Sequence, residues 1–403
     1  MDYDQLLDGC CEVGRQLLHF GGEIPRAEDT VRRLLAAYGL EGEVFAVPNC
    51  IWASAAAPDG RVHTRMRRVP APSTSIEGIE RFNDLSRRLC AQPPDDPAAI
   101  LALCQQTLSE MREYPVPLRL LGYFVGAFFF ALFFSGGWAD AAAAGLSGLA
   151  SGACLIALDR ARANSFITTL VSAFVLGGAA YGLLALGAPI NMEATIAGGI
   201  MVLVPGLVFT SFMSDLFTGD MLSGLATFAR AVLSAGAIAV GTGAAMAMFQ
   251  GVTGTTNIAV YAPPLVCVFA FVACLGFCPA LNAQGAGALL CCLGGALGWA
   301  VYLAAAAAGG NSLIATLAAS ISVAVYSEVM ARVRKCPATS YLVISLFPLV
   351  PGLTIYRAMD YGIRGDTDLF WVTFFRTFGA AGCIALGLLL VSSALAVWRR
   401  WRR

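Results

Sequence analysis

"VPGLVFTSFMSDLFTGD" fills residues 204–220, and "VPGLTIYRAMDYGIRGD" fills residues 350–366. Each phrase carries a Pro-Gly pair directly after its opening valine and closes on Gly-Asp after the same twelve-residue gap. A proline inside a helix has no N–H to donate and clashes with the carbonyl four residues back. Pro205 therefore deprives the Met201 carbonyl of its partner, Pro351 that of Phe347, and Pro348 that of Ile344. Gly206 and Gly352 then let the backbone unwind. Both phrases predict a helix broken in its middle.

Hydrocarbon surrounds both phrases. The 403-residue chain is 58% apolar, 13% charged and formally neutral, with charge at about half the usual quarter. Residues 1–117 hold 17 acidic and 12 basic side chains, whereas residues 118–403 hold only 9 and 14. Apolar runs of about 20 residues cross a bilayer as helices. Ten such runs follow Leu118: 118–135, 140–158, 165–188, 194–212, 222–249, 262–279, 285–308, 312–331, 340–357 and 370–397. The fold class expected is an α-helical polytopic membrane protein of ten transmembrane helices, preceded by a small α+β soluble domain.

That soluble domain reads as helices over 3–20 and 27–39, short strands with a turn at Pro58-Asp59-Gly60, and helices over 76–90 and 96–112. The opening "MDYDQLLDGCCEVGRQLL" has neither a basic n-region nor an apolar h-region, so the domain is expected to stay in the cytoplasm. Cytoplasmic loops collect Lys and Arg. With the N-terminus inside, that side receives Arg119, Arg160, Arg162, Arg332, Arg334, Lys335 and the four arginines of the tail. The other side receives only Arg357 and Arg364. Both termini are therefore expected in the cytoplasm, in a multi-pass protein of the cytoplasmic membrane.

The two phrases belong to a longer duplication. From 203 to 241, 16 of 39 residues recur 146 positions later, and "NSFITTL" at Asn164 matches "NSLIATL" at Asn311 with the spacing slipped to 147. Each half would hold five spans, and an odd number turns the second half upside down. This is a 5+5 inverted repeat, an architecture that many secondary transporters use. The domains expected are 1–114 (cytoplasmic), 115–257 (first repeat) and 258–403 (second repeat). Inversion also accounts for the misplaced charges, because Arg357 and Arg364 both lie in the second phrase.

Unpaired backbone at membrane depth persists only where it is buried in protein or lines a wet cavity. Pro205, Gly206, Pro351 and Gly352 are therefore expected on a substrate pathway, together with the duplicated Asn164 and Asn311. Arg230 and Arg376 fall at equivalent places inside spans, where an unpaired cation costs several kcal/mol. Asp215, Asp220, Asp360 and Asp366 are their expected partners. Thirteen cysteines show no metal-ligand spacing and read as small hydrophobes. His19 and His63 read as structural. No metal or cofactor is expected.

The combination of "RAEDTVRRLLAAYG" at 26–39, the first phrase with its downstream arginine, "PLVPGLTIYRAMD" at 348–360 and the Asn-Ser runs resembles the threonine/serine exporter family. The match extends over nearly the whole chain. The resemblance implies ten spans, a cytoplasmic N-terminal domain and proton-driven export of small amino acids. Some family members are split into two proteins, and one split pair resembles an exporter of an organic acid, succinate. The expected partners are an amino acid, protons and the bilayer, without nucleic acid; a homo-oligomer is compatible. A membrane-tethered enzyme is the competing class, but no HExxH, GxSxG or P-loop occurs. A passive channel is the third.

Overall fold

In the structure, a computed structural model that describes residues 2–70, 73–204, 206–249 and 254–401, Asp2 starts the first helix. Its carboxylate accepts the N–H groups of Asp4 at 3.0 Å and Gln5 at 3.1 Å, which satisfies two donors of the first turn. This helix, α1 (Tyr3–His19), buries Leu6, Leu7, Cys10, Val13 and Leu17 along one face. Helix α2 (Ile24–Ala37) carries Pro25 in its first turn and ends in a Schellman turn. There Gly39 has φ +75°, and Leu40 donates to the Leu35 carbonyl at 3.1 Å.

Strands β1 (Gly42–Val47), β2 (Cys50–Ala56) and β3 (Val62–Arg68) form an antiparallel sheet in that order. One face carries Val44, Ala46, Ile51, Ala53 and Ala55 into the core. Helices α3 (Ile76–Ala91) and α4 (Ala98–Glu110) complete the layer. Burial pushes the Cys11 and Cys104 thiols up to about 12, so these are packed hydrophobes rather than nucleophiles.

This first compact unit spans residues 1–113 and also takes in Leu281–Gln284 and Met330–Ser340 from far along the chain. The carbonyls of Leu281 and Asn282 accept the first N–H groups of α3, from Ile76 at 2.9 Å and Glu77 at 3.2 Å. Those donors would otherwise lack partners. Asn282 also donates to the Arg112 carbonyl at 3.0 Å. Thr339 donates to Glu23 at 3.0 Å, and Arg334 stands 3.9 Å from Glu80. Burial raises the Glu80 carboxyl above its ordinary range, against the opposing effect of Arg334.

The second unit is helical throughout its described elements: α5 (Val116–Phe133), α6 (Trp138–Arg160), α7 (Ser165–Ala185), α8 (Met192–Ile200), α9 (Gly206–Thr218), α10 (Met221–Met248), α11 (Pro263–Phe277), α12 (Gly285–Ala307), α13 (Ser312–Arg334), α14 (Thr339–Ser345), α15 (Gly352–Arg364) and α16 (Thr367–Trp401). The last turn of α13 and the first of α14 belong to the other unit. Among the described residues, seven helices are long and apolar enough to cross a membrane: α5, α6, α7, α10, α12, α13 and α16. Helix α11 is apolar but shorter. The remaining two apolar runs are each divided, α8 from α9 and α14 from α15.

Helix starts repeat down the chain. α11 begins 147 residues after α5, α12 after α6, α13 after α7 and α14 after α8; α15 begins 146 after α9, and α16 after α10. Left-handed backbone recurs at the same spacing, at Ser135 and Asn282, Arg162 and Gly309, and Gly219 and Gly365. Helices α5 and α11 cross at glycines, where a Cβ on Gly276 would lie 2.3 Å from the Gly126 nitrogen. Phe130 and Phe277, 147 apart, face each other with ring centroids separated by 5.6 Å. Helix α9 packs on α16, and its counterpart α15 packs on α10.

Hydropathy placed loops at 213–221 and 358–369. Helices α9 and α15 instead continue to Thr218 and Arg364. An apolar count registers where hydrocarbon ends, not where hydrogen bonding does. Along α15 an Asp360–Arg364 pair at i,i+4 carries the helix past its apolar run.

Candidate functional site at the paired helix breaks

Helix α8 closes on tightened turns, with Leu203 and Val204 both donating to the Ile200 carbonyl at 2.8 and 2.9 Å. Pro205 lies outside the described residues, and α9 resumes at Gly206. The second break is longer because Pro348 and Pro351 both interrupt it. Phe347 donates to Ile344 at 3.1 Å and Leu349 to Leu346 at 2.9 Å, and Gly352 begins α15 with Pro351 as its cap. The Ile344 carbonyl is satisfied, since the Cys274 thiol also reaches it at 3.6 Å. No donor among the described residues reaches the carbonyls of Met201 or Phe347.

The two breaks meet. A Cβ on Gly352 would stand 2.1 Å from Cγ1 of Val204, so only glycine lets the second break seat against the first. Ile196, Ile200, Leu203, Val204, Leu353 and Tyr356 pack into one cluster around this junction. Polar groups border it. The Thr242 hydroxyl contacts the Tyr356 hydroxyl at 3.4 Å. Arg364 pairs with Asp360 at 2.9 Å and points Nη2 at the Met246 sulfur at 3.6 Å. Arg357 of α15 pairs with Glu193 of α8.

The expected pathway residues divide into groups. Gly206, Pro351 and Gly352 stand at the breaks, Asp215 lies on α9 and Asp360 on α15. Four others are helix N-caps: Asn164 accepts from Phe166 N at 2.8 Å, Asn311 from Ile314 N at 2.9 Å, Asp220 from Ser223 N at 3.2 Å and Asp366 from Leu369 N at 3.1 Å. The closing Gly-Asp of both phrases is thus a left-handed stop followed by a helix start. Asp215 accepts the Ser223 hydroxyl at 2.9 Å. Arg230 is half-buried and Arg376 exposed, and among the described residues neither pairs with any of the four aspartates.

Residues the sequence left unmarked support the site. Asp140, only 5% exposed, accepts the N–H groups of Gly137 at 2.7 Å and Asn191 at 2.6 Å. It fixes the start of α8 against α6, and with it the position of Glu193. An acid three residues into a helix after Gly137 was a legible capping signal, but its hold on Asn191 was not.

The first unit carries a cleft of about 510 Å³ lined by Arg32, Gly42, Glu43, Val44, Phe45, Trp52 and Ser54. The hydroxyls of Ser54 and Thr64 lie 2.9 Å apart, and no histidine lines the cleft. Among the described residues no cluster of three His, Cys, Asp or Glu side chains could hold a metal.

These features define a mostly helical, multi-pass membrane protein with two broken helices meeting in its interior. The family described as "Putative threonine/serine exporter" matches residues 8–249, and the one described as "Threonine/Serine exporter, ThrE" matches residues 266–394. The chain belongs to the threonine/serine exporter family. It is 26% identical over 387 residues to the "Probable threonine/serine exporter" of Mycobacterium tuberculosis, covering 90% of this chain and 71% of that one. It is also 26% identical over 311 residues to the "Threonine/serine exporter" of Corynebacterium glutamicum, covering 74% of this chain and 63% of that relative. No solved structure matches.

Proposed function

We propose that the chain is a secondary active transporter that exports small amino acids, serine and threonine, across the cytoplasmic membrane and is driven by the proton gradient. It is a carrier, not an enzyme. The observation that carries this is the meeting of the breaks at Val204 and Gly352, between halves whose helices start at one repeating spacing. Family membership and the names of its relatives point the same way.

The molecule has ten spans in two inverted repeats of five, residues 115–257 and 258–403, behind a cytoplasmic domain over 1–114. Exchanged contacts favour a two-fold relation, in which element i of one half meets j of the other and j meets i. The α9–α16 and α10–α15 packings are such a pair, and Phe130 with Phe277 would sit at the axis. Both termini face the cytoplasm. The coupling proton rides on an aspartate of a broken helix, Asp215 or Asp360.

Counterflow into proteoliposomes loaded with unlabelled serine, threonine or succinate tests the substrate class. Labelled serine or threonine should accumulate against the matching load, and faster under an imposed pH gradient. Exchange of succinate alone would make the chain an organic-acid exporter. Exchange of none of the three would end the exporter reading.

A further inference from the structure

Glu193 lies in the first turn of α8, and Arg357 in the second turn of α15. Their side chains pair although 164 residues separate them. The carboxylate keeps 70% of its exposure and the guanidinium 38%. So open a pair contributes little to stability. Its position is more informative. Ile196 and Ile200 of α8 and Leu353 and Tyr356 of α15 belong to one hydrophobic cluster, which also takes in Val204 at the junction of the breaks. The pair therefore bridges the two halves beside that junction.

The duplicated positions carry no charge. Ser340 stands 147 residues after Glu193, and Ser211 stands 146 before Arg357. Under the inverted repeat, charge marks one end of the pathway and hydroxyls the other. Neither Arg230 nor Arg376 offers an acid beside its cation among the described residues. A lone cation cannot tell an amino acid from a simple carboxylic acid, whereas an opposed acid and base can.

A zwitterionic α-amino acid presents an ammonium and a carboxylate on one carbon. Guanidinium takes a carboxylate through two parallel N–H bonds, and a carboxylate takes an ammonium through a charge-assisted one. Resting on the exporter reading above, we infer that Glu193 and Arg357 form the head-group subsite of the pathway. Arg357 takes the substrate carboxylate and Glu193 its ammonium. The substrate replaces the ion pair charge for charge, so neither side chain is left unpaired during passage. The substrate class follows: α-amino acids with both charges, and neither hydroxy acids nor amino esters.

Purified full-length protein in proteoliposomes, with labelled serine efflux as readout, tests this. In the wild type, excess unlabelled serine should compete, while glycerate (no ammonium) and serine methyl ester (no carboxylate) should not. Glu193→Gln should slow serine efflux at least about tenfold, the loss of one charge-assisted contact, and let glycerate compete. The reversed pair, Glu193→Arg with Arg357→Glu, restores a bridge but exchanges its ends, and should stay at least about tenfold slow. Recovery of the reversed pair to wild-type rate would assign the residues a purely structural bridge and overturn the subsite. Equal competition by all three compounds in the wild type would overturn it without any variant. A wild type that moves no serine at all would overturn the exporter reading itself, a distinguishable failure.

Discussion

Gly352→Val should lower serine efflux by about ten- to a hundredfold while the protein still inserts in the membrane. The Cβ alone would lie 2.1 Å from the Val204 methyl, and valine adds two further methyls. Overpacking of this kind costs about 1–3 kcal/mol, and each 1.4 kcal/mol is about tenfold in a rate or equilibrium constant. The strain falls where the breaks must seat against each other. Val204→Ala removes the obstructing methyl, so the double variant should regain most of the loss. That recovery separates a local clash from a general defect. The measurement is initial efflux against an imposed pH gradient, with protein level and thermal midpoint followed in parallel. A Gly352→Val protein of wild-type rate would place the junction outside the transport path.

Gly276→Leu should do more: the folded protein should be lost, not only its activity. Helices α5 and α11 touch backbone to backbone, with the position of a Gly276 Cβ 2.3 Å from Gly126 N and 2.9 Å from Gly122 O. A side-chain tip could swing away, but a helix backbone cannot. Forcing the crossing apart would separate Phe130 from Phe277 and Phe129 from Phe269, at a cost of about 3 kcal/mol or more. Gly276→Ala should lie between leucine and wild type. Gly182→Leu serves as the control, since nothing stands within 4 Å of that position. Size-exclusion and melting profiles in detergent report the outcome. A monodisperse Gly276→Leu protein with an unchanged midpoint would mean that the crossing does not hold the halves together.

The sequence made the breaks legible because proline and glycine act on their own backbone. Pro348, Pro351 and the glycine after each break interrupt helices wherever they fall, so their effect could be read without neighbours. The Gly-Asp pairs were legible as pathway residues, and the structure adds that Asp220 and Asp366 cap α10 and α16. The capping role is set by the N–H groups that follow each aspartate, which the spacing of the two phrases alone does not reveal.

The Glu193–Arg357 pair was hidden for a different reason. Glu193 follows a capping Asn191 and fits an ordinary first-turn acid, while Arg357 stood out only as an exception to the charge rule. Both exceptions on that side turn out to be ion-paired, Arg357 with Glu193 and Arg364 with Asp360. Pairing across 164 residues is set by how α8 and α15 pack, which no local pattern encodes. The expected partnership of Arg230 and Arg376 with the aspartates failed to form among the described residues for the same reason. Equivalent register in two halves fixes symmetry, not proximity.

The inverted repeat is most directly tested at Gly219 and Gly365. They are exact counterparts in the duplication, both left-handed, and nothing lies within 4 Å of either Cβ position. A cysteine there costs about 1–2 kcal/mol of backbone strain and leaves a thiol open to reagent. Each is introduced alone after the thirteen native cysteines have been replaced, and intact cells are treated with a membrane-impermeant maleimide. Gly365→Cys should label from outside, and Gly219→Cys only after the membrane is permeabilised. Labelling of both from the same side would contradict the inversion, and with it the two-ended pathway built on it.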